Sequence, residues 1–207
     1  MANIILLNGS SSAGKTTLAH KLQQLLPEPY QHIAFDQFRD GMPARVRGLN
    51  APAGTDGALG LNVVPIIDAG EVRTRLEFGA YGQRVLAAMR ATVAAFADLS
   101  MPVIVDDLIL APAHLQGYAE ALRAHTTWFV GVHCPLEVVS AREQARPGRF
   151  PGTAAEHHAA VHSHGVPYDI EVNTASASPR AVAEQIIDGL RTPPAAFNAL
   201  SHARSSG

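Results

Sequence analysis

Gly9-Ser10-Ser11-Ser12-Ala13-Gly14-Lys15-Thr16 follows directly on the apolar run Ile4-Ile5-Leu6-Leu7-Asn8 and fits the spacing G-x-x-x-x-G-K-[ST]. A short buried strand delivers the chain to a glycine-permitted loop, where successive N–H groups can curl around phosphate oxygens and the next helix points its positive end. Lys15 adds a point charge for the outer phosphates, and the Thr16 hydroxyl can ligate magnesium. Thr16 or Thr17 opens a segment in which Leu18, Leu22, Leu25 and Leu26 recur with the period of a helix face. A Gly/Ser-rich turn would explain Gly9 and Gly14 but not Lys15-Thr16. Residues Gly9 to Thr17 are therefore read as a nucleoside triphosphate site.

Outward from this loop, five short apolar runs alternate with helix-like stretches. The runs are Ile4 to Asn8, His32 to Asp36, Val103 to Asp107, Trp128 to Cys134 and Ile170 to Asn173. Helices are expected over about 15–26, 78–98, 113–124, 135–146, 153–163 and 179–190. This pattern predicts an α/β, three-layer sandwich around a mainly parallel five-stranded sheet, within one domain over residues 1–191. Residues 41–71 break the rhythm with repeated Gly and Pro, and are read as an acceptor-binding flap within an insertion over about 37–75. Residues 192–207 read as a flexible tail.

Composition narrows the partners. The 207 residues are 47% hydrophobic and 16% charged, as expected of a chain with a full core. A net charge of -2 offers no basic excess for nucleic acid or an anionic membrane, so a small-molecule partner is expected. Cys134 is the single cysteine, which rules out an internal disulfide and suits a reducing compartment. The N-terminal apolar run breaks at Asn8, too early for a signal peptide or a spanning helix, and a cytoplasmic protein is expected.

Phosphoryl transfer needs an acceptor held in line, a metal on the phosphate oxygens and cations for the spread charge. Asp36 closes the second run, where the carboxyl end of a strand faces the ligand crevice, and can take an acceptor proton; its structural alternative is a helix cap. Asp106 and Asp107 close the third run and are candidate magnesium carboxylates together with Thr16, although strand alternation puts the two on opposite faces. Arg142, Arg146 and Arg149 flank Pro147-Gly148 as a basic lid over about 142–152, or as a solvated face. His158 and His162 are four apart on an expected helix, but two ligands without a third make a weak metal signal.

Asn8 to Thr16, Phe35-Asp36, Val105-Asp106-Asp107, Val130 to Cys134, Arg142-Glu143 with Ala145-Arg146, and Tyr168 to Thr174 together resemble chloramphenicol phosphotransferase and its relatives. The resemblance spans about residues 3–176. It implies a kinase-type P-loop NTPase fold, ATP and Mg2+, and transfer of the terminal phosphoryl group to an alcohol with Asp36 as base. It also implies that Arg142, Arg146 and Arg149 lie in the lid and that the Asn173-Thr174 loop lies near the adenine. The segment 41–75 looks longer than in the family's namesake and, with Arg39, carries Arg45, Arg47, Arg73 and Arg75. Two enzyme readings stay open: an O-phosphotransferase acting on chloramphenicol or another alcohol, and a kinase of an anionic metabolite of the nucleotide, shikimate or gluconate type. A cavity lined by two or more of those arginines favours the second. A nucleotide-dependent switch ranks below both, because no N-K-x-D guanine signature occurs.

Overall fold

The apolar run ahead of the phosphate loop forms β1 (Asn3–Asn8), and its side chains alternate between two cores. Ile4 and Leu6 join Val103, Val105 and Phe129 on one face; Ile5 and Leu7 join Ile104, Val130 and Val132 on the other. A strand buried on both faces is a continuous apolar run, each fully buried Leu or Ile contributing roughly 1.5–3 kcal/mol. The computed structural model describes residues 3–68, 70–146, 150, 152–197 and 200.

β1 is central in a parallel five-stranded sheet with β2 (Gln31–Ala34), β6 (Val103–Asp107), β7 (Thr126–His133) and β8 (Ile170–Asn173), in the order β2-β6-β1-β7-β8. One face is covered by α1 (Lys15–Leu25) and α7 (Pro179–Gly189), through Leu18, Leu22, Val182 and Ile186. The other is covered by α3 (Ala80–Asp98) and α4 (Pro112–Ala121), through Leu86, Met89, Val93, Leu115 and Tyr118. The expected three-layer α/β sandwich is thus present, with helix bounds shifted by a few residues. α7 begins as its sequence indicates: Ser178 Oγ accepts from Ala181 N at 3.3 Å, and Pro179 occupies the first turn. Among the described residues no helix is long and apolar enough to cross a membrane.

Within the segment read as a flap, where no strand was expected, the chain forms a small sheet. β3 (Arg47–Leu49), β4 (Leu61–Asp68) and β5 (Glu71–Phe78) lie in that order, with β4 and β5 antiparallel from Leu61↔Phe78 to Asp68↔Glu71. Residues 71–78 alternate charged side chains with Val72, Thr74, Leu76 and Phe78, and Leu76 and Phe78 pack on the main core. Pro65 hid β4. It is tolerated because β3 pairs only with Leu61 to Val63, leaving β4 a single partner beyond that point.

A second correction concerns Asp36. β2 ends at Ala34, and Asp36 lies in the first turn of α2 (Phe35–Asp40), neither at a strand end nor at a cap. The Gln37 side chain turns the backbone here, its Oε1 accepting from Ala34 N at 2.9 Å. An acid in a first helical turn is also favoured by the helix dipole. Thr192 to Phe197, expected to be loose, are tied down: Asp169 Oδ1 accepts from Ala195 N at 2.6 Å and Ala196 N at 2.9 Å, and Trp128 Nε1 donates to Thr192 O at 2.9 Å. Residues 201–207 lie outside the described residues.

Candidate functional site

The phosphate loop leaves β1 and turns into α1 through Gly14, whose φ of 96° lies in the left-handed region that glycine alone enters without strain. Lys15 is buried and its Nζ donates to Gly9 O at 2.9 Å and Ser10 O at 3.0 Å, with Asp106 Oδ1 at 3.8 Å. Thr16 Oγ1 donates to Asp106 Oδ2 at 2.5 Å. Burial works to raise the Asp106 carboxyl, but the facing His32, Lys15 and Thr16 outweigh it and hold the group below the usual aspartate range. His32 Nε2 stands 3.8 Å from Asp106 Oδ2, too far for a hydrogen bond.

Of the two acidic candidates on β6, only Asp106 is joined to Thr16. Asp107 accepts from Tyr118 OH and from Leu108 N, both at 2.7 Å, and burial pushes its carboxyl up to about 6 despite these donors. The hydroxyl and the ionised carboxylate at Thr16 and Asp106 form a hard oxygen donor set of the kind that suits magnesium.

A cavity of about 580 Å³ opens from the phosphate loop towards the small sheet. Lys15, Thr16, Asp106 and Asp107 line one part, and Asp36, Arg39, Asp40 and Arg47 line another, with Phe35, Leu49, Leu61, Val63, Leu76 and Phe150 as apolar wall. Arg39 grips both acids of α2: Nη1 meets Asp36 Oδ1 at 2.7 Å, while Nε and Nη2 meet the Asp40 carboxylate at 2.9 and 3.1 Å. Arg47 Nη1 lies 3.9 Å from Asp40 Oδ1. Two of the flap arginines therefore line the cavity, each beside an acid. Arg75 does not; it pairs with Glu156 Oε1 at 3.1 Å on α6 (Thr153–Ala160).

A smaller cavity of about 390 Å³ adjoins the other side of the loop, lined by Leu18, Arg142, Ala145, Thr174, Ala177, Pro179 and Val182. The Arg142 guanidinium, on α5 (Leu136–Gln144), is spent on this wall. Nη1 donates to Thr174 Oγ1 at 3.2 Å and Nη2 to Thr174 O at 3.1 Å, while Thr174 Oγ1 donates to Ala13 O at 2.7 Å. Arg146 is exposed and lines both cavities. Asn173 turns its Oδ1 to Ala175 N at 2.9 Å. Arg149 lies outside the described residues. The three lid arginines of the sequence reading are therefore not equivalent: Arg142 braces the loop and Arg146 faces the cavities.

Sequence reasoning missed Asn8 as a brace. Fully buried, it donates from Nδ2 to Val161 O at 2.9 Å and to Tyr168 OH at 2.8 Å, and its Oδ1 accepts from Ile109 N at 2.9 Å. Asparagine ending an apolar run, just before the loop, was the available signal. Tyr168 OH also meets His164 Nε2 at 2.9 Å and His162 Nδ1 at 2.6 Å. Val166 N donates to His164 Nδ1 at 3.2 Å, so His164 carries its proton on Nε2 and donates to Tyr168; the tyrosine hydroxyl then donates to His162 Nδ1. These histidines hydrogen-bond to a phenol, and among the described residues no cluster of metal-ligating side chains is present.

Neutral His162 is thus built into the network. Burial, reinforced by His133, His158, His164 and Lys15, lowers it to about 4. Because its folded value lies below the ordinary 6.5 of the unfolded chain, the unfolded state takes up the proton first and stability is lost as pH falls from about 6.5 to 4. His162→Asn keeps a side-chain acceptor without a titrating group and is expected to flatten that slope. Thermal melts at pH 7 and 5 should show the wild type losing about 2–4 °C more than the variant, the shift about 1 kcal/mol produces in a chain of this size. Equal losses would remove His162 from the acid response.

Residues 2–191 match the family model described as chloramphenicol phosphotransferase-like protein. Sequences from two strains of Mycobacterium tuberculosis, under the provisional name O-phosphotransferase, are 30% identical over 209 residues, covering 95% of this chain and 87% of theirs. Among solved structures, a sugar kinase from Janibacter sp. superposes with a TM-score of 0.63 at 17% identity, over 92% of this chain and 95% of that one. The APS kinase of Mycobacterium tuberculosis in complex with AMPPNP and APS gives 0.62 at 15% identity, over 92% and 98%. A gluconokinase from Sinorhizobium meliloti gives 0.60 at 18% identity, over 91% of each chain. The structural likenesses establish a kinase-type α/β fold.

Proposed function

The chain belongs to the chloramphenicol phosphotransferase-like family and is a phosphotransferase; from that premise we propose that it moves the γ-phosphoryl group of ATP to a hydroxyl of an uncharged small molecule, with chloramphenicol the first acceptor to test. The observation that carries the reading is one cavity holding Lys15 and Thr16–Asp106 together with Asp36 and an apolar wall.

In this mechanism the loop N–H groups and Lys15 hold the outer phosphates, and the smaller cavity takes the nucleobase against Leu18, Pro179 and Val182. Thr16 and Asp106 would hold Mg2+, which neutralises charge on the phosphate oxygens when bound. Asp36, fixed by Arg39, receives the acceptor hydroxyl's hydrogen bond and, as the bond to phosphorus forms, its proton.

A second reading has support from Arg39 and Arg47 in the cavity wall, where they suit an anionic acceptor of the nucleotide, shikimate or gluconate type. The balance of charge favours the uncharged acceptor, because both arginines lie against Asp36 or Asp40. Acceptor-dependent ADP release decides between them: stimulation by chloramphenicol but not by gluconate, shikimate or nucleoside monophosphates supports the first, and the reverse replaces it. ADP release that no alcohol stimulates points to a switch. The net charge of -2 supports a small-molecule partner rather than nucleic acid, and the single cysteine suits the cytoplasm.

Arg146→Ala is expected to lower kcat about a hundredfold with ATP affinity changed less than threefold, since a cation between the two cavities meets charge that moves during transfer. Weakened ATP binding with unchanged turnover would assign Arg146 to ground-state binding.

A further inference from the structure

Glu143, near the end of α5, is buried, and among the described residues no cation lies within ion-pair distance of it. Its two oxygens are spent on backbone N–H groups at the start of α6: Oε2 accepts from Gly152 N at 3.1 Å and Oε1 from Ala154 N at 2.7 Å. A buried carboxylate is costly unless hydrogen-bonded, and a helix N-terminus is the place where backbone groups alone can satisfy one. What it fixes is a wall of the transfer cavity. Thr153 Oγ1 donates to Phe150 O at 2.7 Å, and Phe150, Thr153 and His157 all line the cavity, where α6 adjoins the small sheet.

We propose that Glu143 is a positioning residue for phosphoryl transfer: by fixing the start of α6 it holds the Phe150–Thr153–His157 wall against the reacting groups, so that the acceptor hydroxyl rather than water meets the phosphoryl group. The proposal rests on the phosphotransferase reading above. With the carboxylate intact, both N–H groups keep their acceptor and the wall stays in place. With an amide, one oxygen becomes a donor facing an N–H group, and the start of α6 loosens.

The test compares wild type, Glu143→Gln and Trp128→Phe, the last removing the hydrogen bond from Trp128 Nε1 to Thr192 O at the start of β7, where neither cavity is lined. Glu143→Gln is expected to speed amide hydrogen exchange at Gly152 and Ala154 about tenfold, the effect of losing roughly 1.4 kcal/mol of local stability. The ratio of ATP hydrolysed by water to chloramphenicol phosphorylated should rise by a similar factor, while Mg2+-AMPPNP affinity changes less than threefold. Trp128→Phe should lower the melting temperature without moving either quantity. Unchanged exchange in Glu143→Gln overturns the proposal, as does faster exchange with an unaltered water-to-acceptor ratio, which reduces Glu143 to a helix cap. A wild type that phosphorylates no alcohol overturns the phosphotransferase reading instead; Glu143 is then judged on exchange and on hydrolysis by water, where a rise in both is expected and a rise in neither removes its role.

Discussion

Lys15→Ala is expected to reduce phosphoryl transfer by about a thousandfold or more, the largest effect of any single change in the chain. Its Nζ is held among Gly9 O, Ser10 O and Asp106, in a buried setting where one fixed charge counts for far more than in water. In the proposed mechanism that charge would meet the outer phosphates in the bound state and again as negative charge redistributes in the transition state, so both ATP affinity and turnover should fall. Alanine also removes the cation facing Asp106. ATP binding, melting temperature and acceptor-dependent ADP release measured on the same variant separate these losses. Activity within about tenfold of wild type, in a folded protein, would take the phosphate loop out of the mechanism.

Asp36→Asn should lower transfer by about 10² or more while leaving ATP binding and folding close to wild type. The amide keeps the size of the carboxylate and can still accept from Arg39 Nη1, so α2 should persist. What would be lost, in the proposed mechanism, is the group that takes the acceptor's proton, and with it part of the grip on the acceptor, because phosphoryl transfer proceeds through a loose transition state with modest demand for a base. A rise in KM for the acceptor, with kcat nearly unchanged, would make Asp36 a binding group; near-normal values of both would end its candidacy.

The parts of this molecule legible in the chain are those where local chemistry and tertiary structure agree. β1, the phosphate loop and α1 are written in an apolar run, two glycines and a lysine-threonine pair, and β6 with its two acids is as plain. β4 was obscured because Pro65 and Gly70 look like loop punctuation; the end of β3 at the level of Val63 makes the first tolerable, and the turn from β4 to β5 makes the second useful. α2 was missed for a related reason. Its six residues are too short to show a period, and a side chain, Gln37, rather than a cap at Asp36, satisfies the turn. Arg142 and Arg146 are one helical turn apart in sequence, and spacing alone does not say which of them faces a ligand. The difference between them is set by Thr174, distant in the chain, which captures the first.

The ion pair between Arg75 and Glu156 joins the small sheet to α6, and the backbone of Gly152 lies so close to β5 that a methyl group there would fall 2.5 Å from Val72 O. The small sheet is consequently not an exchangeable cassette. A relative's hairpin spliced between Leu61 and Phe78 would arrive without the residues against which Gly152 and Glu156 are fitted, so new acceptor preference acquired this way would have to be inherited together with the start of α6. Within this fold, substrate range is a property that two separate stretches of gene must change in step.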